Sequence, residues 1–363
     1  MSALRLTVRA IRAQPVMVPM RYALGTSAAT VRTAPLLLVD LETNEGVAGH
    51  AFQFCYTPAA VPGISSMLHD AADAIRNDVL APVDLWSKLT KRYTLIGVQG
   101  VVRMAMSLID VATWDALARA VDTPLVKYIG AAPKALPAYN SNGLGLMSPD
   151  ALAAEAEKLV EDGFRAVKLR LGYPTLEQDI GAVNAVRNRI GENVQLPVDY
   201  NQALTVSEAA RRCQALDGEG LLWIEEPIRH DDFAGCAKLA RETRTPIQIG
   251  ENFSLIYDMQ RAIDAKSCDY VMPDVERIGG VTGWLRAAAL ADAHALPMSS
   301  HLYPEISVHL LAATTTAHWL EYVDWLDQVV EEPLRVNNGS AIAPERPGLG
   351  IEWNQEAVKR LSN

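Results

Sequence analysis

From Leu136 onward the chain repeats one motif, a short apolar run that ends in polar residues and is followed by an amphipathic stretch. The runs are LPAYNSN (from Leu136), FRAVKLRL (Phe164), QLPVDYN (Gln195), LLWIEEP (Leu221), PIQIGEN (Pro246), YVMPD (Tyr270), LPMSSHL (Leu296) and WLEYVDW (Trp319). Their starts lie 23 to 31 residues apart, and segments between them such as ALAAEAEKLVEDG and VTGWLRAAALADA have helical spacing. A βα unit repeated about eight times predicts a parallel barrel. The rival, an open doubly wound sheet, lacks its phosphate loop. Gly143-Leu-Gly145 is the nearest candidate, and Ser148 stands where the third glycine belongs.

The first 130 residues have a different texture. An alternating segment, Leu4 to Val18, leads into a loop of small residues from Gly25 to Thr30. PLLLVDLETNEGVAGHAF then reads as a hairpin turning at Asn44-Glu45-Gly46. VPGISSMLHDAADAI, VDLWSKLTKRY and VRMAMSLIDVATWDALARA place apolar residues at intervals of three and four, which predicts amphipathic helices. Small residues and prolines around Gly130 to Pro137 mark a boundary. The expected division is an α+β unit over residues 1–131, a barrel over 132–331, and a tail over 332–363 that returns to complete the first unit.

With 33 Lys+Arg against 43 Asp+Glu, the formal charge of −10 repels polyanions, so nucleic acid and anionic membranes are not expected partners. MSALRLTVRAIRAQPV interleaves arginines with apolar residues and has no continuous apolar core, so a cytoplasmic protein without a signal peptide or membrane span is expected. Cys55, Cys213, Cys236 and Cys268 are widely scattered and read as buried reduced thiols.

The chemistry lies at the ends of the runs. Lys168 and Arg170 close the second, Asp199 and Asn201 the third, Glu225 and Glu226 the fourth, Glu251 and Asn252 the fifth, Asp274 the sixth, His301 the seventh and Glu321 the eighth. In a βα barrel those ends share one face, where active sites are built. A single strand-end carboxylate is usually solvated or paired with a basic neighbour. Asp199, Glu225 and Glu251 on three successive strands would instead repel one another unless a cation lay between them. An all-oxygen set suits Mg²⁺ better than zinc. Lys168, Arg170 and His301 could hold an anionic substrate opposite the metal. His301 is the one histidine at a strand end, and Asp274 could orient its ring and raise its basicity. His50, His69, His230, His294, His309 and His318 take the structural reading. Removing a proton next to a carboxylate creates a dianionic enediolate, which requires a metal and proton donors to stabilise it.

These residues, in this order, resemble mandelate racemase and its relatives in the enolase superfamily, over the whole chain. The motifs that carry the likeness include RTAPLLLVDL, GHAFQFCYTP, FRAVKLRLGYP, VDYNQ, WIEEP, GEN, PD followed by ERIGGVTGW, PMSSHL, HLLAATTTAHWLE and PGLGIEW. The resemblance implies an α/β protein, a (β/α)7β TIM-type barrel under an α+β capping domain built from the N-terminal part and the C-terminal tail. It implies Mg²⁺ on Asp199, Glu225 and Glu251, and Lys168 neutralising the substrate carboxylate. His301 with Asp274 matches the base, Glu321 the acid that hydrogen-bonds the enediolate, and Ser141 and Asn201 polar residues around the intermediate. Leu24, Ala28, Val31, Phe54, Tyr56, Leu95, Leu302 and Val323 match an apolar wall around an aromatic substrate, while Arg21 and Gln53 could add polar recognition and keep acid sugars open.

One position departs from the family pattern Lys-x-Lys, whose second lysine is the base on the opposite face. Here it is Arg170, and a guanidinium is a poor proton acceptor. Three activities follow from the resemblance. The first is a racemase or epimerase of a 2-hydroxy carboxylate. The second is a hydroxy-acid or acid-sugar dehydratase with His301 as single base, and the third a non-catalytic carboxylate-binding relative. A small carboxylate is the expected ligand and a homo-oligomer the expected assembly.

Overall fold

The structure, a computed structural model, describes residues 5–161 and 163–362. Three antiparallel strands open the chain: β1 (Val8–Gly25), β2 (Thr30–Thr43) and β3 (Ala48–Phe54), in the order β1-β2-β3. The β2-β3 turn falls at the expected Asn44-Glu45-Gly46, and the small-residue loop is the four-residue β1-β2 connection. Helices Val61–Ile75, Pro82–Arg92 and Gly100–Ala120 follow. The last crosses β3 at Gly49, where a Cβ would collide with the Ala112 carbonyl. The helix is buried along most of its length, packed between this sheet and helices on its other sides.

The eight apolar runs become the staves of a closed parallel barrel. They are β4 (Leu136–Asn140), β5 (Leu169–Arg170), β6 (Val198–Asp199), β7 (Ile224–Glu225), β8 (Ile247–Ile249), β9 (Tyr270–Val271), the bridged segment 298–301, and β10 (Leu320–Tyr322). β5 to β9 pair in sequence order, Met298 and His301 bridge to Val271 and Asp274, and β10 pairs with β4 to close the ring. The strands are much shorter than the runs that predicted them, because only their central residues keep regular pairing. Polar caps start several of the intervening helices. Thr175 and Gln178 form a capping box, and Thr205 and Asp232 accept from backbone N–H groups of the helices they precede.

The tail does more than complete the cap. Its first part forms a hairpin, β11 (Val336–Asn337) and β12 (Ser340–Ala341), that adds to β4 of the barrel. Its later part is hydrogen-bonded to the first unit, where the Trp353 indole donates to Asp40 at 2.7 Å and Leu349 N–H to buried Asp115 at 2.5 Å. Asp115 also accepts from His50 N–H at 2.7 Å and Arg119 Nε at 2.7 Å, so one buried carboxylate joins cap sheet, cap helix and tail. His50 and His309 are buried, in keeping with their structural reading. Cys55, Cys213 and Cys236 are buried free thiols and Cys268 is half-buried. No helix among the described residues is long and apolar enough to cross a membrane.

Candidate active site

Parallel register brings the polar strand ends side by side. Arg170, Asp199 and Glu225 are lateral partners across β5, β6 and β7. One oxygen each of Asp199, Glu225 and Glu251 lies within 4.8 Å of the others. Lys168 reaches into this group from below. Its Nζ lies 2.9 Å from Glu225 Oε1, 3.3 Å from Asp199 Oδ2 and 2.8 Å from Glu321 Oε1. Burial opposes the lysine's charge, but Glu225, Glu321 and Asp199 outweigh it and hold its pKa well above the ordinary value.

A divalent cation fits these oxygens. Burial, followed by the neighbouring Asp199, Glu321 and Glu251, pushes the Glu225 carboxyl up in spite of Lys168, which marks negative charge that the protein alone does not balance. Among the described residues the group is made of three carboxylates, the donor class of Mg²⁺. The remaining faces of the carboxylates are already braced. Trp223 Nε1 donates to Glu225 Oε2 at 3.1 Å, and Asn201 donates to Asp199 through its backbone N–H at 2.7 Å and its amide at 2.8 Å.

His301 faces the same space. Its Nδ1 lies 2.7 Å from Asp274 Oδ2 and its Nε2 3.3 Å from Glu251 Oε2. Burial works against its charge, but Glu251 and Asp274 prevail and raise its pKa to about 9. Asp274 has a second task, because its Oδ1 accepts from the backbone N–H groups of Glu276 and Arg277 at 2.8 and 3.1 Å. Glu321 accepts from Leu302 N–H at 2.7 Å. Burial would protonate it, but Lys168 and His301 hold its pKa well below the usual carboxylate range. The free site therefore presents Glu321 as a carboxylate, whereas an acid that hydrogen-bonds an enediolate needs a proton.

Arg170 is buried, and its donors are largely committed. Nη1 binds the Gly143 carbonyl at 2.7 Å, and Nη2 the Ser141 carbonyl and Oγ, each at 3.2 Å. Ser141 thus braces Arg170 and also hydrogen-bonds the Glu321 carboxylate, which puts it directly behind two groups of the site. Asn201 does line the cavity.

Over these groups lies a cavity of about 260 Å³. Lys168, Arg170, Asp199, Glu251, His301 and Glu321 form its polar floor, and Leu24, Ala28, Val31, Phe54, Tyr56 and Leu302 its expected apolar wall. Four other expected residues are elsewhere. Leu95 is fully exposed on the loop between two cap helices, and Val323 is buried in the core. Gln53 points to the other face of β3 from Phe54, where its amide donates to Tyr303 Oη and the Phe54 carbonyl, both at 2.7 Å. Arg21 lines a separate polar cleft with Tyr22 and Arg335. Sequence reasoning missed Trp325, which completes the wall and packs against Phe54 in a tilted pair with ring centroids 4.6 Å apart. It sits four residues beyond Glu321, in the same run that supplied the eighth strand.

Comparison with known proteins places this geometry. Residues 7–130 match the mandelate racemase / muconate lactonizing enzyme N-terminal domain, and residues 151–357 the enolase C-terminal domain-like family. A magnesium-bound enolase from the alpha proteobacterium bal199 is 42% identical, with a TM-score of 0.96 over 98% of this chain and 99% of that one. An enolase from Bradyrhizobium complexed with magnesium and mandelic acid is 36% identical, with a TM-score of 0.94 over 99% of both chains. A 3,6-anhydro-alpha-L-galactonate cycloisomerase of Streptomyces coelicolor is 32% identical over 90% of this chain and 91% of its own. Sugar-acid dehydratases are also among the relatives. Enzymes of this superfamily use Mg²⁺. Cap, barrel, oxygen cluster and sequence agree: the chain belongs to the mandelate racemase/muconate lactonizing enzyme family of the enolase superfamily.

Proposed function

We propose that the protein removes the α-proton of an aryl or similarly apolar 2-hydroxy carboxylate in a racemase-type reaction, with Mg²⁺ held by Asp199, Glu225 and Glu251. The observation that carries this reading is the pairing of His301 and Asp274 at 2.7 Å on the floor of a cavity whose wall is apolar. Lys168 binds the substrate carboxylate. His301, with its Nδ1–H held by Asp274, presents Nε2 to the α-proton. Mg²⁺, when bound, supplies the positive charge that stabilises the dianionic product of that transfer and offsets the Glu251 charge that otherwise keeps His301 protonated. An anionic substrate beside Lys168 raises the proton affinity of Glu321, which then hydrogen-bonds the developing charge. With Gln53 and Arg21 turned elsewhere, the wall offers the Thr26 hydroxyl but is otherwise mainly apolar, which suits a sugar acid less well than an aryl substrate.

Arg170 is the observation that favours a second reading, dehydration of a 3-hydroxy acid. Elimination needs a base on one face only, and an arginine committed to Gly143 and Ser141 does not accept a proton on the other. One experiment separates the two. The Mg²⁺-loaded protein is incubated in D₂O with a panel of 2-hydroxy and sugar acids, each enantiomer separately, while α-deuteration, optical rotation and keto-acid release are followed. Deuteration of aryl 2-hydroxy acids, faster for the enantiomer whose proton faces His301, is expected. Keto-acid release from sugar acids with no exchange in aryl substrates would replace the first reading by the second.

A further inference from the structure

Tyr56 supplies wall to the cavity, yet its hydroxyl points away from any apolar role. Its oxygen accepts from Arg277 Nη2 at 2.5 Å, and the guanidinium carbon lies 5.0 Å from the ring centroid. The tyrosine holds this pose from a left-handed backbone, φ 59°, just after β3, a conformation that a bulky side chain adopts only when its surroundings enforce it. The other arm of the same arginine grips the fifth strand end. Arg277 Nη1 donates to the Glu251 carbonyl at 3.1 Å and to Asn252 Oδ1 at 2.7 Å, and lies 3.6 Å from Glu251 Oε1. The Asn252 amide in turn donates to Glu251 Oε1 at 3.1 Å and to both oxygens of Glu226, at 3.1 and 3.0 Å. Arg277 and Asn252 thus occupy the Oε1 side of Glu251 and leave Oε2 facing His301 and the inside of the site.

We infer that Tyr56 and Arg277 act as one positioning pair for the third carboxylate of the metal site, so that a residue of the apolar wall also sets how firmly the cation is held. This rests on the assignment of Mg²⁺ to Asp199, Glu225 and Glu251. The physical basis is the fork of the guanidinium. Its two arms are fixed relative to each other, so fastening Nη2 to a rigid tyrosine in the cap fixes where Nη1 holds Glu251 in the barrel. Without the hydroxyl, Arg277 keeps its barrel contacts but can swing, and Glu251 samples orientations in which Oε2 no longer faces the cluster. Partners behind a metal ligand are commonly worth about 10- to 100-fold in metal affinity.

The test is Mg²⁺ binding by titration calorimetry on the full chain without substrate, comparing wild type, Tyr56→Phe, Arg277→Met and the double variant. Tyr56→Phe keeps the aromatic wall and removes only the acceptor. It is expected to weaken Mg²⁺ binding by about tenfold and Arg277→Met by about 10- to 100-fold. The double variant should be no weaker than Arg277→Met alone, because the tyrosine acts through the arginine. A general loosening of the wall would instead add its own loss to that of Arg277→Met. An unchanged Mg²⁺ affinity in Tyr56→Phe, or a double variant whose loss is the product of the two single losses, overturns the inference. Should Arg277→Met fail to fold, Arg277→Lys replaces it, since a single ammonium cannot hold both sides at once. Asp199→Asn serves as reference. If it too leaves Mg²⁺ affinity intact, the metal assignment fails, whereas its loss beside an unaffected Tyr56→Phe rejects the positioning pair alone.

Discussion

Replacing Asp274 by asparagine should stop proton transfer while leaving the protein folded, and the geometry says why. The two oxygens of Asp274 do different work: Oδ1 caps the short helix that follows, and Oδ2 holds His301 Nδ1 at 2.7 Å. Asparagine can keep the cap through its carbonyl oxygen, but then turns an N–H₂ group toward Nδ1. The imidazole must move its proton to Nε2, the nitrogen that has to accept one. Loss of the charge-assisted hydrogen bond is worth about 1.5–3 kcal/mol. Loss of a carboxylate charge next to the imidazolium is worth about 4 kcal/mol at an effective dielectric of 20. The two overlap, so about 5 kcal/mol is lost in all, a rate reduction of about five-thousand-fold. The same exchange behind the histidine of a serine protease costs about that much. The assay is α-proton exchange with D₂O, followed by NMR on the substrate that the panel identifies, beside thermal unfolding of the same preparation. The folded protein also loses the charge-assisted bond to His301, so stability should fall by up to about 3 kcal/mol, whereas Asp274→Ala forfeits the cap as well and should lose about 1 kcal/mol further. Exchange within tenfold of wild type in a folded Asp274→Asn protein would place the base elsewhere.

Two further predictions concern the metal and pH. Asp199→Asn or Glu225→Gln should lower Mg²⁺ affinity by about 100-fold or more by calorimetry, and a chelator should abolish α-proton exchange until Mg²⁺ is restored. His309 is buried and doubly bonded in its neutral form, with Nδ1 accepting from Val126 N–H and Nε2 donating to the Leu349 carbonyl, both at 3.2 Å. Burial lowers its pKa to about 4, below the ordinary value of 6.5. The unfolded chain therefore binds the proton first as pH falls. Stability from this residue is complete above about pH 6.5 and declines toward pH 4, by up to about 3 kcal/mol. Thermal midpoints measured between pH 7 and 5 should fall less steeply in His309→Gln than in wild type, and parallel curves would refute the assignment.

The sequence by itself carried the architecture because a barrel writes itself in one dimension. Every stave must be apolar where it packs and polar where it meets the ligand face, so run and strand end recur at a fixed spacing. Lys168, Asp199, Glu225, Glu251, Asp274, His301 and Glu321 were legible as strand ends for that reason, and parallel register then forces them together. What the spacing could not give is where a side chain turns once two units meet. Gln53 and Phe54 are neighbours in sequence, yet strand alternation sends one to Tyr303 and the other into the cavity. Arg21 and Leu95 fall outside the site for the same kind of reason, since the packing of the cap on the barrel decides which of its loops face inward. Trp325 and Arg277 joined the site only in three dimensions. Arg277 works through a hydroxyl 221 residues away in the chain, a pairing set by contact between cap and barrel and by no local pattern. The charge of Glu321 belongs to the same class. Its carboxylate is fixed by Lys168 at 2.8 Å, a distance that only the closed barrel creates.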